Sequence, residues 1–331
     1  MSSNLINDEI VRLQNIGKVF DGYIMFVLII FGTIGNLLNL FVFIRIKTLR
    51  QMSNSIFLIG SFPGSLVSLW SSRYPRSILN ITGVDPLVGS IVFCKFRWLF
   101  GRWGLNMPFT CICLASIDRF LMTSRQVYYR RLFSLKRAYI MVILSSIIYL
   151  IICIPDGIYY SGYLCTALVN DRALYKQFIA YFNLILTNIL SMIILGTFSI
   201  LTWYNLRSTR QNRQINHLQQ QVNRMMIAEF ALAFITTLPN FVYNIYLQIT
   251  QSMIKSQLRL AQESLWSSIS VIMSFTMNVG TFYVYIIVSR PYRRNVRTAL
   301  CFKRQNQVTS HQTRLQHGTT IQTFGNMTTR L

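Results

Sequence analysis

The sequence predicts an all-α membrane protein, a bundle of seven transmembrane helices. Three observations carry this prediction. Of the 331 residues, 52% are hydrophobic and 12% are charged, whereas a soluble domain carries roughly 25% charged residues. Apolar runs of about 20 residues recur along the whole chain, and each can cross a bilayer core of about 30 Å. Lysine and arginine are concentrated in alternate connecting segments, as in membrane proteins of fixed orientation.

Seven apolar runs define the predicted helices. Their approximate bounds are 23–44, 54–72, 91–122, 137–155, 177–203, 223–248 and 265–288. The second run contains Pro63, and the third contains Lys95, Arg97 and Arg102. Helix breakers and charges are tolerated where neighbouring helices satisfy them, so we expect both helices at the centre of the bundle. The runs are too long and too weakly alternating for membrane strands.

The predicted organisation has three parts. Residues 1–22 are polar and form an amino-terminal segment. We expect no cleavable signal sequence, because the first apolar run is itself long enough to span the membrane. Residues 23–300 form the membrane domain. Residues 301–331 form a tail rich in Gln, Thr and Arg, which we expect to be disordered.

The distribution of basic residues predicts the orientation. With residue 1 outside the cell, 21 of the 32 lysines and arginines fall in cytoplasmic segments, and seven of the nine acidic residues fall on the other side. Basic segments stay in the cytoplasm, so we expect a multi-pass plasma-membrane protein with an extracellular amino terminus. The net charge of +23 then reflects topology and attraction to anionic lipid. Nucleic-acid binding would need a soluble basic domain, and none is visible.

The stretch CICLASIDRFLMTSRQ places Asp118 and Arg119 at the inner end of the third predicted helix. Cys94 lies 25 residues before Arg119, which is roughly 37 Å of helix and about one membrane crossing. Cys165 falls in the outer loop between the fourth and fifth helices. The exterior is oxidising, so Cys94 and Cys165 can form a disulfide. The alternative for the two cysteines is that both remain unpaired thiols. The alternative for Asp118 and Arg119 is that they only cap the helix at the membrane interface.

These features make the chain resemble the rhodopsin-like (class A) G-protein-coupled receptors over about residues 20–302, with a peptide-receptor-like character. Gly35-Asn36 looks like the GN motif of helix 1, and Asp118-Arg119-Phe120 is similar to the DRY motif, with Phe in place of Tyr. Cys94 and Cys165 match the family's disulfide cysteines. Pro239 stands where the family has Cys-Trp-x-Pro in helix 6.

The carboxyl-terminal motifs of the resemblance are weaker. The stretch from Asn278 to Tyr285 looks like a degraded NPxxY region, in which Tyr285 is the preferred switch tyrosine and Phe282 belongs to the alternative register. Tyr292 follows Tyr285 by seven residues, the family's interval to the aromatic residue of a short cytoplasmic helix 8. The resemblance therefore implies a seven-helix bundle followed by that helix.

Departures from the family pattern affect the implied mechanism. Gly64 or Ser65 replaces the sodium-binding Asp of helix 2, and Thr237 replaces the helix 6 Trp. Gln219 stands where many relatives carry the acidic residue that latches the DRY arginine. Glu229 lies three turns deeper and is the only acidic residue of helix 6. We therefore expect a loose latch on the arginine and appreciable basal signalling.

The implied function is signal transduction. An extracellular ligand favours an outward swing of helix 6, hinged near Pro239, where proline removes a helical hydrogen bond. Arg119, held by Asp118 at rest, then becomes available to a heterotrimeric G protein as a planar, always-charged donor. Arrestin and a kinase are further expected partners at the tail, whose Ser and Thr residues can be phosphorylated.

The ligand prediction depends on the outer half of the third helix. Gly101 stands where aminergic receptors carry an Asp, so a monoamine is not expected. Arg97 and Arg102, beside Trp98, can receive an anionic group such as a carboxylate, and snorkelling towards lipid headgroups is the alternative. Glu263 and two other outer acids can equally meet a basic peptide. A peptide, such as a neuropeptide, is the first choice and a small chemosensory molecule the second.

Other signals concern modification and competing classes of protein. Asn80-Ile-Thr82 is a glycosylation sequon in the predicted first outer loop, and Cys301 is a palmitoylation candidate or a plain free thiol. We expect no metal, no cofactor and no enzymatic activity, because the sequence shows no metal-ligating or catalytic set. A membrane transporter, or a ligand-gated channel of the insect odorant type with inverted orientation, is the alternative class.

Overall fold

The computed structural model of the protein describes residues 2–86, 90–124, 126, 128–129, 134–159, 177–179, 181–209 and 217–300. Seven helices in these ranges are long and apolar enough to span a membrane: α1 Asn4–Arg45, α2 Ser53–Thr82, α3 Ile91–Thr123, α4 Leu135–Tyr159, α5 Gln177–Asn205, α6 Arg224–Ile249 and α7 Gln257–Val288. A shorter helix, α8, covers Arg290–Leu300. The predicted all-α, seven-helix bundle is confirmed.

The seven helices run alternately up and down, so the bundle has two ends. We call one the Arg119 end, where α2 begins, α3 finishes and α8 lies. We call the other the Cys94 end, where α3 begins and α2 finishes. The α3 helix has the most buried hydrophobic window of the seven, at 61%, as expected for a central helix that carries charges.

The first helix begins earlier than the apolar run predicts. Helix covers Ser2–Val19 and continues through a π-helical segment, Phe20–Ile24, into the span. Asp21 in that segment is buried, and its carboxylate accepts hydrogen bonds from Ser268 on α7 and Arg76 on α2, each at 3.1 Å. These contacts stabilise the polar turns beyond the apolar stretch. The segment predicted as a polar amino terminus over residues 1–22 is therefore helical from Ser2.

The α2 and α3 helices meet backbone to backbone at Gly104. A Cβ atom at Gly104 would lie 2.7 Å from the backbone nitrogen of Ser68 and 2.8 Å from the carbonyl oxygen of Gly64. Small residues at such crossings let membrane helices approach closely. The crossing fixes how α2 sits against α3 and therefore positions the residues that α2 presents at both ends.

We expect Gly104→Ala to destabilise the bundle. The added methyl group meets backbone atoms that cannot turn away, so α2 and α3 must separate, at a cost of about 1–3 kcal/mol. The measurement is the thermal unfolding midpoint of the purified protein in detergent. Gly196→Ala on α5 is the matched control, because a Cβ there meets nothing within 4 Å. Equal midpoints for the two variants would contradict the close crossing.

The α8 helix is docked onto the bundle by Tyr292. This side chain is fully buried, and its hydroxyl donates a hydrogen bond of 2.5 Å to the side-chain oxygen of Asn39 on α1. Burial raises the pKa of Tyr292, so the hydroxyl stays protonated and remains a donor. The ring also lies 5.5 Å from Tyr285 on α7 and 6.2 Å from Phe43 on α1. The predicted helix after the seventh span is present, and it packs at the Arg119 end.

Candidate functional site

The Asp118-Arg119 pair lies inside the Arg119 end rather than on its surface. Asp118 is fully buried and Arg119 is 3% exposed. Asp118 accepts a hydrogen bond of 2.7 Å from the hydroxyl of Ser53, the first residue of α2. Burial of both charged groups argues against a plain helix cap, because ionisable side chains are costly in such surroundings unless they have a role.

Arg119 is held weakly. Its Nε lies 3.9 Å from the second carboxylate oxygen of Asp118, and neither atom has a hydrogen-bond partner within the described residues. Adjacent residues on a helix point in different directions, so Asp118 cannot close a short bond with Arg119. The two side chains therefore attract each other electrostatically at a long distance, without a hydrogen bond between them. A guanidinium held this way is available to another acceptor.

Phe120, the third residue of the motif, lies against α5. Its ring centroid is 5.4 Å from that of Phe198. The aromatic ring therefore packs between helices, where a tyrosine hydroxyl would need a hydrogen-bond partner. This contact links the end of α3 to α5.

A second buried contact joins α6 to α7 close to Arg119. Glu229 on α6 and Tyr285 on α7 are both fully buried, and the Tyr285 hydroxyl donates a hydrogen bond to Glu229 Oε2. Arg119 lies near this contact. The sequence alone shows Glu229 as an unexplained acid in an apolar helix. Such a residue requires a partner, but the pattern does not say which one.

The register of the α7 motif is clearer in the structure. Tyr285 touches Glu229, Tyr292 and Phe43, whereas Phe282 packs edge-on against Tyr292 and carries no hydroxyl. The geometry favours Tyr285 as the residue that can change partners.

The predicted motif residues of α1 and α7 come together. Asn36 donates hydrogen bonds of 2.8 Å to the carbonyl oxygens of Asn278 on α7 and Gly32 on its own helix. A Cβ atom at Gly35 would lie 3.2 Å from Phe282 Cβ, so glycine permits this approach. The contact ties α1 to α7 beneath the Arg119 end.

Pro239 lies within α6 as predicted. In the turn before it, the hydroxyls of Thr236 and Thr237 donate to carbonyl oxygens one turn earlier, those of Leu232 and Ala233. Hydroxyl bonds of this kind weaken and bend a helix, and proline removes one backbone donor. The middle of α6 is therefore the place where this helix bends most easily.

The Cys94 end holds the predicted cysteine. Cys94 is fully buried and takes part in a disulfide. Cys165, its predicted partner, lies outside the described residues, so the pairing stays a prediction.

The structure shows what the predicted ligand residues on α3 contact. Arg102 forms an ion pair with Asp156 of α4, with 2.7 Å between Nε and Oδ2 and side chains 10% and 0% exposed. Its charge is thus already matched within the chain. Gly101 packs against α2, where its Cβ would lie 3.3 Å from Ser72 Cβ, so it lies at a contact between α3 and α2. Arg97 lies 5.7 Å from the ring of its neighbour Trp98.

Glu263 is likewise engaged within the chain. Its carboxylate accepts hydrogen bonds of 2.7 Å from Lys255, 2.7 Å from Tyr246 and 3.2 Å from Arg259. Its charge is therefore engaged within the chain, and its role towards a ligand stays a prediction. The network borders a cleft of about 540 Å³ between α6 and α7, which Trp266 also lines.

The predicted modification sites differ in what the structure shows of them. Asn80 lies in the last turns of α2 and not in a loop. Its side-chain amide donates a hydrogen bond of 2.9 Å to the carbonyl oxygen of Arg76. The sequon is therefore helical because α2 extends to Thr82. Cys301 and the tail lie outside the described residues.

Comparison with known proteins supplies the family. The model of the family described as 7 transmembrane receptor (rhodopsin family) matches residues 35–279, about three quarters of the chain. No curated protein matches the sequence. The matched range contains the GN motif, the Asp-Arg pair, Pro239 and Asn278, which the structure places in one bundle. The chain belongs to the rhodopsin family of seven-transmembrane receptors.

Proposed function

We propose that the protein is a G-protein-coupled receptor, which binds an extracellular ligand at the Cys94 end and activates a heterotrimeric G protein at the Arg119 end. The observation that carries this proposal is the state of Arg119. It is an always-charged group, 3% exposed, paired to Asp118 only at 3.9 Å. A planar fork of donors with so weak a partner is suited to a new acceptor arriving from the cytosol.

The resting state is held by the Glu229–Tyr285 contact. It ties α6 to α7 beside Arg119, while Gln219 offers no charge at the position of the family's usual latch. One hydrogen bond contributes about 0.5–1.5 kcal/mol, which shifts a two-state equilibrium by about tenfold at most. Because one hydrogen bond stabilises the resting state only this much, part of the receptor population is in the active state without ligand, which supports appreciable basal signalling.

Activation moves α6. A ligand that favours the bent form of α6 breaks the Glu229–Tyr285 contact, and the swing about Pro239 opens the space below Arg119. The guanidinium then donates to acceptors on the G protein. Tyr285, released from Glu229, is free to take a new partner near Arg119.

The amino terminus faces the extracellular side in this proposal, and the receptor lies in the plasma membrane. The support is the excess of basic residues in the segments at the Arg119 end, since such segments stay in the cytoplasm. An epitope tag at residue 1 tests it on intact cells. Antibody binding without permeabilisation agrees with the receptor, whereas binding only after permeabilisation favours the inverted ligand-gated channel.

For the ligand class we propose a peptide first and a small chemosensory molecule second. No Asp for a monoamine stands at Gly101, and the acids and bases at the Cys94 end suit a polar ligand. A library screen with a promiscuous G-protein readout identifies the agonist. Ligand-evoked current or uptake in cells lacking G protein would contradict the receptor and favour a channel or transporter.

We expect Asp118→Asn to raise ligand-independent output by about two- to tenfold, because the change removes the charge that pairs with Arg119 in the resting state. Asparagine still accepts from Ser53 but carries no charge for Arg119. The measurement is basal G-protein activation in cells, normalised to surface tag. Ser53→Ala is the matched control and is expected to change output less, since it leaves the charge pair. Unchanged output from Asp118→Asn would count against the pair as a restraint.

A further inference from the structure

We infer that Arg73 is the anion-binding residue of the ligand site, where its guanidinium receives an oxyanion, such as a carboxylate, presented by the ligand. The inference rests on the proposed receptor function, because it names the chemistry of the ligand that such a receptor binds. It also transfers to Arg73 the role that the sequence suggested for Arg102.

Arg73 lies between two helices in the half of the bundle nearer the Cys94 end. It is the last residue of a π-helical segment of α2, Ser68–Arg73. Its guanidinium carbon lies 4.2 Å from the ring centroid of Phe275 on α7, and that ring is only 3% exposed. Local π-helical turns re-aim side chains and are frequent at functional sites. Here the turn places the Arg73 guanidinium against α7.

Within the described residues, the Arg73 guanidinium contacts an aromatic ring and forms no ion pair with a carboxylate. It makes no hydrogen bond or ion pair with the part of the chain that the structure describes, and its Nε is buried without a partner. Other cations at the Cys94 end do have acids: Arg102 has Asp156, and Lys255 has Glu263. A buried cation without an anion is costly, and an aromatic ring offsets only part of that cost. This arrangement is what a site awaiting an external anion requires.

The surrounding charges also favour an anion. Arg76 and Arg97 act on Arg73 as like charges, and Asp21 acts as the opposing charge. Asp21 is already bonded to Arg76 and to Ser268, and Asp85 acts on Arg97. Among the described residues of this region, arginines therefore outnumber available carboxylates, and such a field attracts negatively charged ligands.

The chemistry of Arg73 suits a carboxylate, sulfate or phosphate group. The guanidinium can offer two parallel N–H donors to such a group. The Phe275 ring lies 4.2 Å from the guanidinium carbon, and such a ring contact uses none of the N–H donors as hydrogen bonds. Snorkelling to headgroups, the usual alternative for an arginine near a membrane surface, is opposed by this contact with a buried ring.

The test measures stabilisation of the purified full-length receptor by small probes of known charge. Benzoate, phenyl sulfate and phenyl phosphate are compared at millimolar concentration with neutral benzamide, which has the same ring. We expect at least one anion to raise the unfolding midpoint more than benzamide does. The comparison among the three anions identifies the preferred oxyanion.

Variants of Arg73 assign the effect. Arg73→Gln is expected to lower the affinity for the anion by at least about tenfold and to leave the affinity for benzamide unchanged. Arg73→Lys keeps the charge but loses the paired donors, so we expect an intermediate affinity for the anion. Arg290→Gln at the Arg119 end is the control for loss of one positive charge and is expected to bind like the parent. If Arg73→Gln fails to fold, Phe275→Leu provides a second test, because we expect it to reduce the affinity for the anion.

The inference would be overturned if no anion exceeded benzamide, or if Arg73→Gln kept the full anion effect. Its failure is separable from failure of the proposed function. Basal nucleotide exchange on a G protein needs no probe, so a receptor that activates G protein but ignores anions refutes the inference alone. A protein that binds anions through Arg73 but activates no G protein refutes the receptor function alone.

Discussion

Replacing Glu229 with leucine is expected to raise ligand-independent G-protein output several-fold. Leucine fills a similar volume but accepts no hydrogen bond, so Tyr285 no longer ties α7 to α6. The lost hydrogen bond stabilises the resting state by about 0.5–1.5 kcal/mol. Its removal therefore raises the ratio of the open to the resting form of α6 by up to about tenfold. The measurement is basal second-messenger output at matched surface expression.

Three variants make the Glu229 result specific. Glu229→Gln keeps an acceptor and is expected to stay near the parent. Thr236→Val removes a hydroxyl bond that lies wholly within α6, so it controls for polar loss in that helix. With the single variant Tyr285→Phe as reference, the double variant Glu229→Leu with Tyr285→Phe should fall short of the sum of the two single effects, because both changes remove one contact. Fully additive effects would show that the two residues act separately.

Replacing Arg119 with glutamine is expected to abolish G-protein activation, both basal and ligand-driven. Glutamine cannot supply the charged fork that the proposed partner contact uses, and losing such charge-assisted bonds costs at least about 3 kcal/mol, or more than a hundredfold. The measurement is agonist-independent and agonist-driven output together with ligand or probe binding. Binding at the Cys94 end should persist while output is lost.

Two comparisons separate this loss from misfolding. Arg119→Lys retains the charge without the planar fork, so a small residual output is expected. Combining Arg119→Gln with Glu229→Leu tests the order of events, because an open α6 cannot signal without the guanidinium. Restored output in the combined variant would show that Arg119 only restrains the resting state.

Hydropathy predicted the membrane-embedded parts of the helices well and their ends poorly. The third run was predicted over about 91–122, and α3 covers Ile91–Thr123. The second was predicted to end near residue 72, but α2 continues to Thr82. The extension contains Pro75 and polar residues, and it is held by the Ser77 hydroxyl bonding the Gly22 carbonyl oxygen at 2.6 Å. Such a tertiary bond leaves no trace in an apolar window.

The motifs drew attention to particular residues, but they did not predict what those residues contact. Asp118, Arg119 and Asn36 were identified from short patterns, and each is buried at a helix contact. The partner of Glu229 lies 56 residues away on α7, and contacts of this range depend on packing that no local pattern encodes. For the same reason Arg102 was assigned to a ligand when its acid lies on α4. Arg73 was not singled out from the sequence, because only the fold shows that its guanidinium forms no ion pair within the described residues.

The most direct test of the account is nucleotide exchange on purified heterotrimeric G proteins by the receptor reconstituted in lipid vesicles. A panel covering the main G-protein classes removes the need to know the subtype, and the Glu229→Leu receptor removes the need for an agonist. We expect the Glu229→Leu receptor to accelerate nucleotide exchange on at least one G protein, and the parent receptor to accelerate it less. With Arg119→Gln, we expect the same exchange rate as with empty vesicles. Exchange that is no faster than in empty vesicles for every member of the panel would contradict the account.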